Sequence, residues 1–280
     1  MTAGWIPQGP EVLATPGWAR SPLLDVERTE LDVTVTLGGL TFHGRRTPAP
    51  PRGWAHHVSS LDGWWDSSPD KTQTLDHWSG DGVVSLLSRA GARLVEVSGY
   101  IRAAQRPAPM MLHAMEDLEV RSAEGGLLVV DEHLSGRRLE AEVSRVALKF
   151  SRFAAWSTAF SLILRADDPL KFSQRTMLLA NGTNAVGSAG NSAVNPVLDL
   201  VGPHGALTIT HPGGVYTFAA LAAGQRRTLD WRNGDVWNGN VRVFGVEGGR
   251  RPIVVKGGSS WTVAGLGSGT ATLRRFEAWK

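Results

Sequence analysis

Short runs that alternate apolar and polar residues, cut by glycine-bearing turn dipeptides, constrain this chain more than any other feature. Leu31-Asp-Val-Thr-Val-Thr-Leu37 alternates strictly, Gly38-Gly39 reverses it, and Leu40-Thr-Phe-His43 returns. Side chains change face at every strand residue, and a two-glycine link suits a tight reversal, so the spacing predicts a β-hairpin. The pattern recurs to the C-terminus, helped by 33 glycines, and predicts a mainly β protein. With 280 residues the chain exceeds a typical single core, so two domains are expected.

In the first part, the proline-rich stretch from Thr47 to Asp70, with Trp54, Trp64 and Trp65, reads as a long loop or ragged hairpin that exposes aromatics. Ala92 to Arg102 alternates as a strand whose Gly99 suits a bulge. After Pro109 the period changes: Met110, Met111, Ala114, Met115 and Leu118 fall at helical spacing, and Gly125-Gly126 stops the helix. The methionine stripe reads as core filler. Strands follow at Leu127–Leu134, Arg138–Leu148 and Trp156–Leu164, with Ser135-Gly136 as the turn between the first two. This half is α+β, with one helix laid on sheet. Beyond Phe172, short strands recur about every ten residues, separated by Pro212-Gly213, Asn233-Gly234 and Gly248-Gly249. A sandwich of about eight strands is expected.

Sites of chemistry are scarce. Asp167-Asp168 precedes Pro169, which biases Asp168 towards extended backbone, where adjacent side chains point to opposite faces. The pair therefore marks the exit from a strand and a domain boundary, not a chelating site. His56-His57 meets the same objection, with no third metal ligand at suitable spacing. Gly265-Leu-Gly-Ser-Gly269 leads into a strand rather than a helix, which makes it a hairpin turn and not a phosphate loop. Asn181-Gly-Thr183 matches a glycosylation pattern, but the N-terminus lacks the basic start and apolar stretch of a secretion signal. The chain has no cysteine, so disulfides and thiolate metal sites are excluded. No cofactor is expected. No run reaches the length of a membrane span, and membrane insertion is not expected.

Charge is uneven. Residues 174–280 hold 11 Lys and Arg against 5 Asp and Glu, a net +6, whereas the rest holds 18 against 21, a net −3. The basic residues come singly or in pairs such as Arg226-Arg227, Arg250-Arg251 and Arg274-Arg275, without a nucleic-acid motif, and read as a solvated face. Of the 11 tryptophans, Trp231, Trp261 and Trp279 fall at strand positions that fill the second core, and Trp237, beside Asn238-Gly239, is expected to be exposed.

The order of these features resembles a known family. Gly91-Ala-Arg93 leads into a strand ending Gly99-Tyr-Ile-Arg-Ala103, followed by the methionine-rich helix at 109–121, a hairpin, and a strand ending Leu164-Arg-Ala-Asp-Asp-Pro169. Gly190-Asn191 then precedes Asn195-Pro-Val-Leu-Asp-Leu-Val-Gly-Pro203. Together these resemble the distal tail proteins of long, non-contractile-tailed bacteriophages, of the kind found in phages of actinobacteria. The resemblance implies a non-enzymatic virion protein of the tail tip, made in the host cytoplasm. It implies an N-terminal domain over 1–172, which forms a hexameric ring continuing the tail tube, and a C-terminal galectin-like sandwich over 173–280. The implied partners are five further copies, the tail tube protein, the tail-tip hub and the tape-measure protein, with DNA passing through without specific binding. A net −3 first half suits that passage, because a basic lumen would retain polyanion.

A cyclic ring needs a heterologous contact, and the hairpins at 31–43 and 127–148 are the candidates to close it, through Val33, Val35, Leu40, Phe42, Val129 and Val143. Two other function classes stay open. The sandwich could hold a host surface glycan through Trp237. It could instead hydrolyse glycan, which needs two carboxylates ~5 to 9.5 Å apart, with Asp230 and Asp235, flanking the Asn233-Gly234 turn, as the near pair.

Overall fold

A computed structural model describes residues 31–44, 53–66, 70–71, 74–76, 83–85, 89–103, 108–154, 157–243, 254 and 256–280. The N-terminal segment read for a secretion signal, Trp156, the Gly248-Gly249 turn and the Arg250-Arg251 pair lie outside the described residues.

The first half closes into a barrel. Its hairpin, β1 (Val33–Leu37) and β2 (Leu40–His43), forms as the alternation predicts, with Val35 opposite Phe42 and Leu37 opposite Leu40. β3 (Trp54–Asp62) runs parallel to β2, and two short pairs follow: β4 (Asp70–Lys71) with β7 (Arg89–Ala90), and β5 (Thr74–Asp76) with β6 (Val83–Ser85). Then come β8 (Arg93–Ala103), α1 (Ala108–Ser122), β9 (Gly126–Glu132), β10 (Arg137–Ala154) and β11 (Ser157–Ala166). The order is β11-β8-β3-β2-β1-β9-β10, and β10 returns to pair with β11, so the sheet has no free edge along that stretch. Closure removes the unpaired backbone groups that an open sheet would present.

The stretch from Thr47 to Asp70 is not one long loop: residues 54–62 form a full barrel strand. The sequence hides it because His56 and His57 are both buried, on successive faces, which breaks the apolar–polar alternation. Gly99 does sit at a bulge, but the extra residue, Ser59, belongs to β3; a side chain at Gly99 would lie 1.8 Å from the His57 carbonyl oxygen. The helix forms as predicted. Met111, Ala114 and Leu118 are fully buried on the barrel core, with Met110 and Met115 packed partly against it. The helix ends where Gly125 adopts φ 71°, a left-handed conformation costly for other residues.

After β11 the chain bends through Asp167-Asp168-Pro169 into β12 (Lys171–Ser173), which pairs with β10 on one side and with the C-terminal β23 (Ala278–Trp279) on the other. Between them lie two further sheets. β13 (Thr176–Leu179), β15 (Val197–Val201), β18 (Arg226–Asp230), β19 (Asp235–Asn238), β20 (Val241–Val243) and β22 (Thr270–Arg274) make a six-stranded sheet. β14 (Gly182–Val186), β16 (Leu207–His211), β17 (Gly214–Phe218) and β21 (Ser259–Ala264) make a four-stranded one. Both contribute to a second core built on Trp231, Trp261, Phe218, Leu198 and Leu273. Among the described residues these two sheets hold ten strands, against the about eight expected. Gly265–Gly269 is not a hairpin turn: β21 and β22 belong to different sheets, and the glycines carry the chain across the core edge. Trp279 also departs from expectation. It packs on the first core, because β23 joins the barrel sheet through β12.

Candidate interaction surfaces and the junction between the cores

The six residues expected to close a ring are all buried, and five of them face the barrel interior. Val35 and Phe42 are fully buried, and Val33, Leu40, Val129 and Val143 expose 3 to 7% of their surface. Five of them belong to the first core, and β1 lies in mid-sheet between β2 and β9. Val33, Val35, Leu40, Phe42 and Val143 turn towards the barrel's own interior, whereas Val129 lies on the opposite face of β9 from the core residues Leu128 and Val130. The outward positions are different residues, including Leu94, Leu112, Val120, Leu127 and Leu134.

A dense buried polar network lies where β12 meets the barrel, and nothing in the sequence announced it. Arg93, 2% exposed, donates from Nη1 to the carbonyls of Gly63 (2.8 Å), Trp64 (3.1 Å) and Asp66 (2.6 Å), and from Nε to Pro169 (3.1 Å). One guanidinium thereby ties the turn after β3 to the exit from β11. Beside it, the Lys171 ammonium donates to the Trp64 carbonyl at 2.7 Å and lies 5.5 Å from the centre of the Trp64 ring. Glu132 accepts from Arg137 (2.7 Å), Ser135 (2.8 Å) and Trp65 (3.1 Å). Burial raises the Glu132 carboxyl pKa, but these bonds outweigh it and hold the group below its usual range.

Phe172, at the start of the second core, sits between two guanidiniums: Arg232 at 5.4 Å and Arg275 at 5.6 Å from its ring. Arg275 also reaches back to the barrel, to Glu140 (2.9 Å) and Glu142 (3.0 Å). Of the Asp167-Asp168 pair, only Asp168 reaches this junction. Asp167 accepts from Arg165 at 2.8 Å, and Asp168 accepts from the Leu170 amide at 3.0 Å and lies 3.8 Å from Arg232.

Burial first, and then the neighbouring Arg93 charge, lower the Lys171 pKa to about 8 from 10.5. The sign of the consequence follows from proton linkage. Between about pH 8 and 10.5 the unfolded chain keeps a proton that the folded chain has released, so stability rises with pH across that window. Melting temperatures measured from pH 7.5 to 10 should therefore climb relative to Lys171→Met, which lacks the titrating group. Parallel curves for the two proteins would refute this.

The outer face of the six-stranded sheet carries one row across β13, β22, β15, β18, β19 and β20: Leu178, Thr272, Asp199, Thr228, Trp237 and Arg242. Trp237 is 37% exposed, as expected. Asp230 and Asp235 do pair across β18 and β19, but each is engaged by an arginine: Asp230 by Arg232 at 2.7 Å, and Asp235 by Arg242. Asp199 is likewise held by Arg274, with a second bond from Thr228 at 2.7 Å. Among the described residues no group of His, Asp or Glu is arranged to hold a metal ion, and no helix is long and apolar enough to cross a membrane.

No protein-family model and no curated protein matches this sequence. Solved structures do match. The crystal structure of the SPP1 Dit protein, described as a paradigm of the hub adsorption apparatus in phages infecting Gram-positive bacteria, aligns over 89% of this chain and 99% of its own, at 12% identity and a TM-score of 0.58. The phage p2 baseplate in its activated conformation with Sr aligns over 87% of this chain at 8% identity and a TM-score of 0.49, and the form with Ca at 9% and 0.46. The chain shares the fold of the SPP1 protein across both of its cores.

Proposed function

We propose that this chain is a distal tail protein, a non-enzymatic building block of a phage virion that sits at the tail tip. Residues 1–172 form a barrel-based domain that assembles as a ring of six, and residues 173–280 form a galectin-like sandwich on its outside. The ring joins the tail tube to the tip hub and surrounds the channel through which the tape-measure protein and then DNA pass. The observation that carries this reading is the agreement of fold with SPP1 Dit over nearly all of both chains. The arginine-held acids at Asp230 and Asp235 add weight, because a general acid or base must be free to exchange its proton.

The test is the mass of the purified full-length chain by light scattering, with negative-stain images of the same peak. A species six times the 30.1 kDa chain mass, with a central pore, is expected. A monodisperse 30.1 kDa species at all concentrations would overturn the ring as a property of this chain.

A further inference from the structure

Two surfaces that the barrel core does not use are opposite in charge, and each has an apolar centre. The first is the outward face of α1. Leu112, Glu116, Glu119 and Val120 recur at helical spacing within one arc of about 100°. Leu112 is 51% and Val120 72% exposed, and both glutamates are exposed too. Neither glutamate side chain makes an ion pair among the described residues, although Arg121 and Asp117 pair with each other alongside. Exposed aliphatic residues between unpaired carboxylates are an acidic, apolar ridge.

The second surface is a cleft of about 310 Å³ where the β9–β10 hairpin meets β12 and β23. Its floor includes Leu139 and Trp279, and its rim carries Arg137, Arg138 and Arg175. Arg137 lies 5.8 Å from the Trp279 ring and is committed to Glu132. Arg175 bonds Glu277 through one nitrogen only, and the Arg138 side chain makes no bond among the described residues. An apolar floor under a cationic rim suits an aliphatic side chain flanked by carboxylates.

We propose that the α1 face of one copy seats in the arginine-rimmed cleft of the next copy. This rests on the ring reading above and names its contact. The two surfaces share no residue. Arg145, which donates to the Glu119 carbonyl at 2.8 Å, and Arg138, on the cleft rim, are seven residues apart on β10, roughly 23 Å of strand. Contact between different surfaces of identical chains is head-to-tail, the type that closes rings. Desolvated charge pairs across such a contact set register and exclude wrong partners.

Charge reversal on the full-length protein tests it. Glu116→Arg with Glu119→Arg reverses the ridge, and Arg138→Glu reverses the one rim arginine whose side chain makes no bond among the described residues; all three positions are exposed, and melting curves check that each variant folds. Each reversal alone should raise the concentration for half-assembly at least tenfold, and the chain carrying all three should recover part of that loss, because the new rim carboxylate at position 138 again faces cations on the ridge. Wild-type rings that survive either reversal, or a triple variant no better than the single-side ones, overturn this contact and leave the ring reading standing. A wild-type chain that stays monomeric removes both.

Discussion

Replacing Arg93 by methionine should cost the barrel about 3–5 kcal/mol, the range for removing one partner from a buried charged network. Methionine keeps the stem's apolar contacts, so the loss isolates the guanidinium. Four carbonyl oxygens, from Gly63, Trp64, Asp66 and Pro169, lose a charged donor at once. Hydrogen bonds to charged groups contribute roughly 1.5–3 kcal/mol each, and a buried acceptor left empty keeps its full desolvation cost. At about 2–4 °C per kcal/mol for a unit of this size, the barrel's melting temperature should fall by about 10 °C. Arg93→Lys should lie between, because a lysine keeps the charge but not the planar fork that reaches carbonyls on two separate segments. Urea titration followed by circular dichroism measures this, and a loss under about 1 kcal/mol would show that water replaces the guanidinium without penalty.

Trp261→Ala should produce a loss of similar size, about 3–5 kcal/mol, in the other core. Its ring is fully buried, meets Trp231 edge-on at 6.0 Å, lies 5.6 Å from His211, and donates from Nε1 to the Ser259 hydroxyl at 2.9 Å. Truncation opens a cavity between two sheets whose strands are fixed by their ladders, and such a site collapses poorly. Trp237→Ala, on the outside of the same sandwich, is the control and should change stability by no more than about 0.5 kcal/mol. Calorimetry of the two large variants also bears on the proposed division near residue 172. If the cores unfold separately, Arg93→Met shifts one transition and Trp261→Ala the other; a single transition shifted by both would mean that Arg275, β12 and β23 couple them into one unit.

Local patterns in the sequence were sufficient for elements whose evidence is contiguous. The β1–β2 hairpin, the helix with Met111, Ala114 and Leu118 inward, the β9–β10 turn at Ser135-Gly136, and the burial of Trp231 and Trp261 were all legible, because each depends on period, turn chemistry or the cost of exposing a large ring. β3 was not legible, since two buried histidines in succession mimic a polar loop. The Gly265–Gly269 link was read as a hairpin because glycine content marks a reversal without saying which sheet receives the next strand.

The sequence by itself determined that this is a mainly β chain, placed the one helix found among the described residues, and marked the apolar face of β1, β2 and β8. Only the tertiary structure decided what those faces meet. Period-two alternation puts Val33, Val35, Leu40, Phe42 and Val143 on a buried face, yet it cannot tell a barrel interior from a subunit interface, since both remove the same side chains from water. Nothing local marks Arg93 and Lys171 as buried; strands far apart in sequence bring carbonyl oxygens around them. Burial of a charge is set by the partners it finds, and those partners are assembled by long-range pairing that no local pattern encodes.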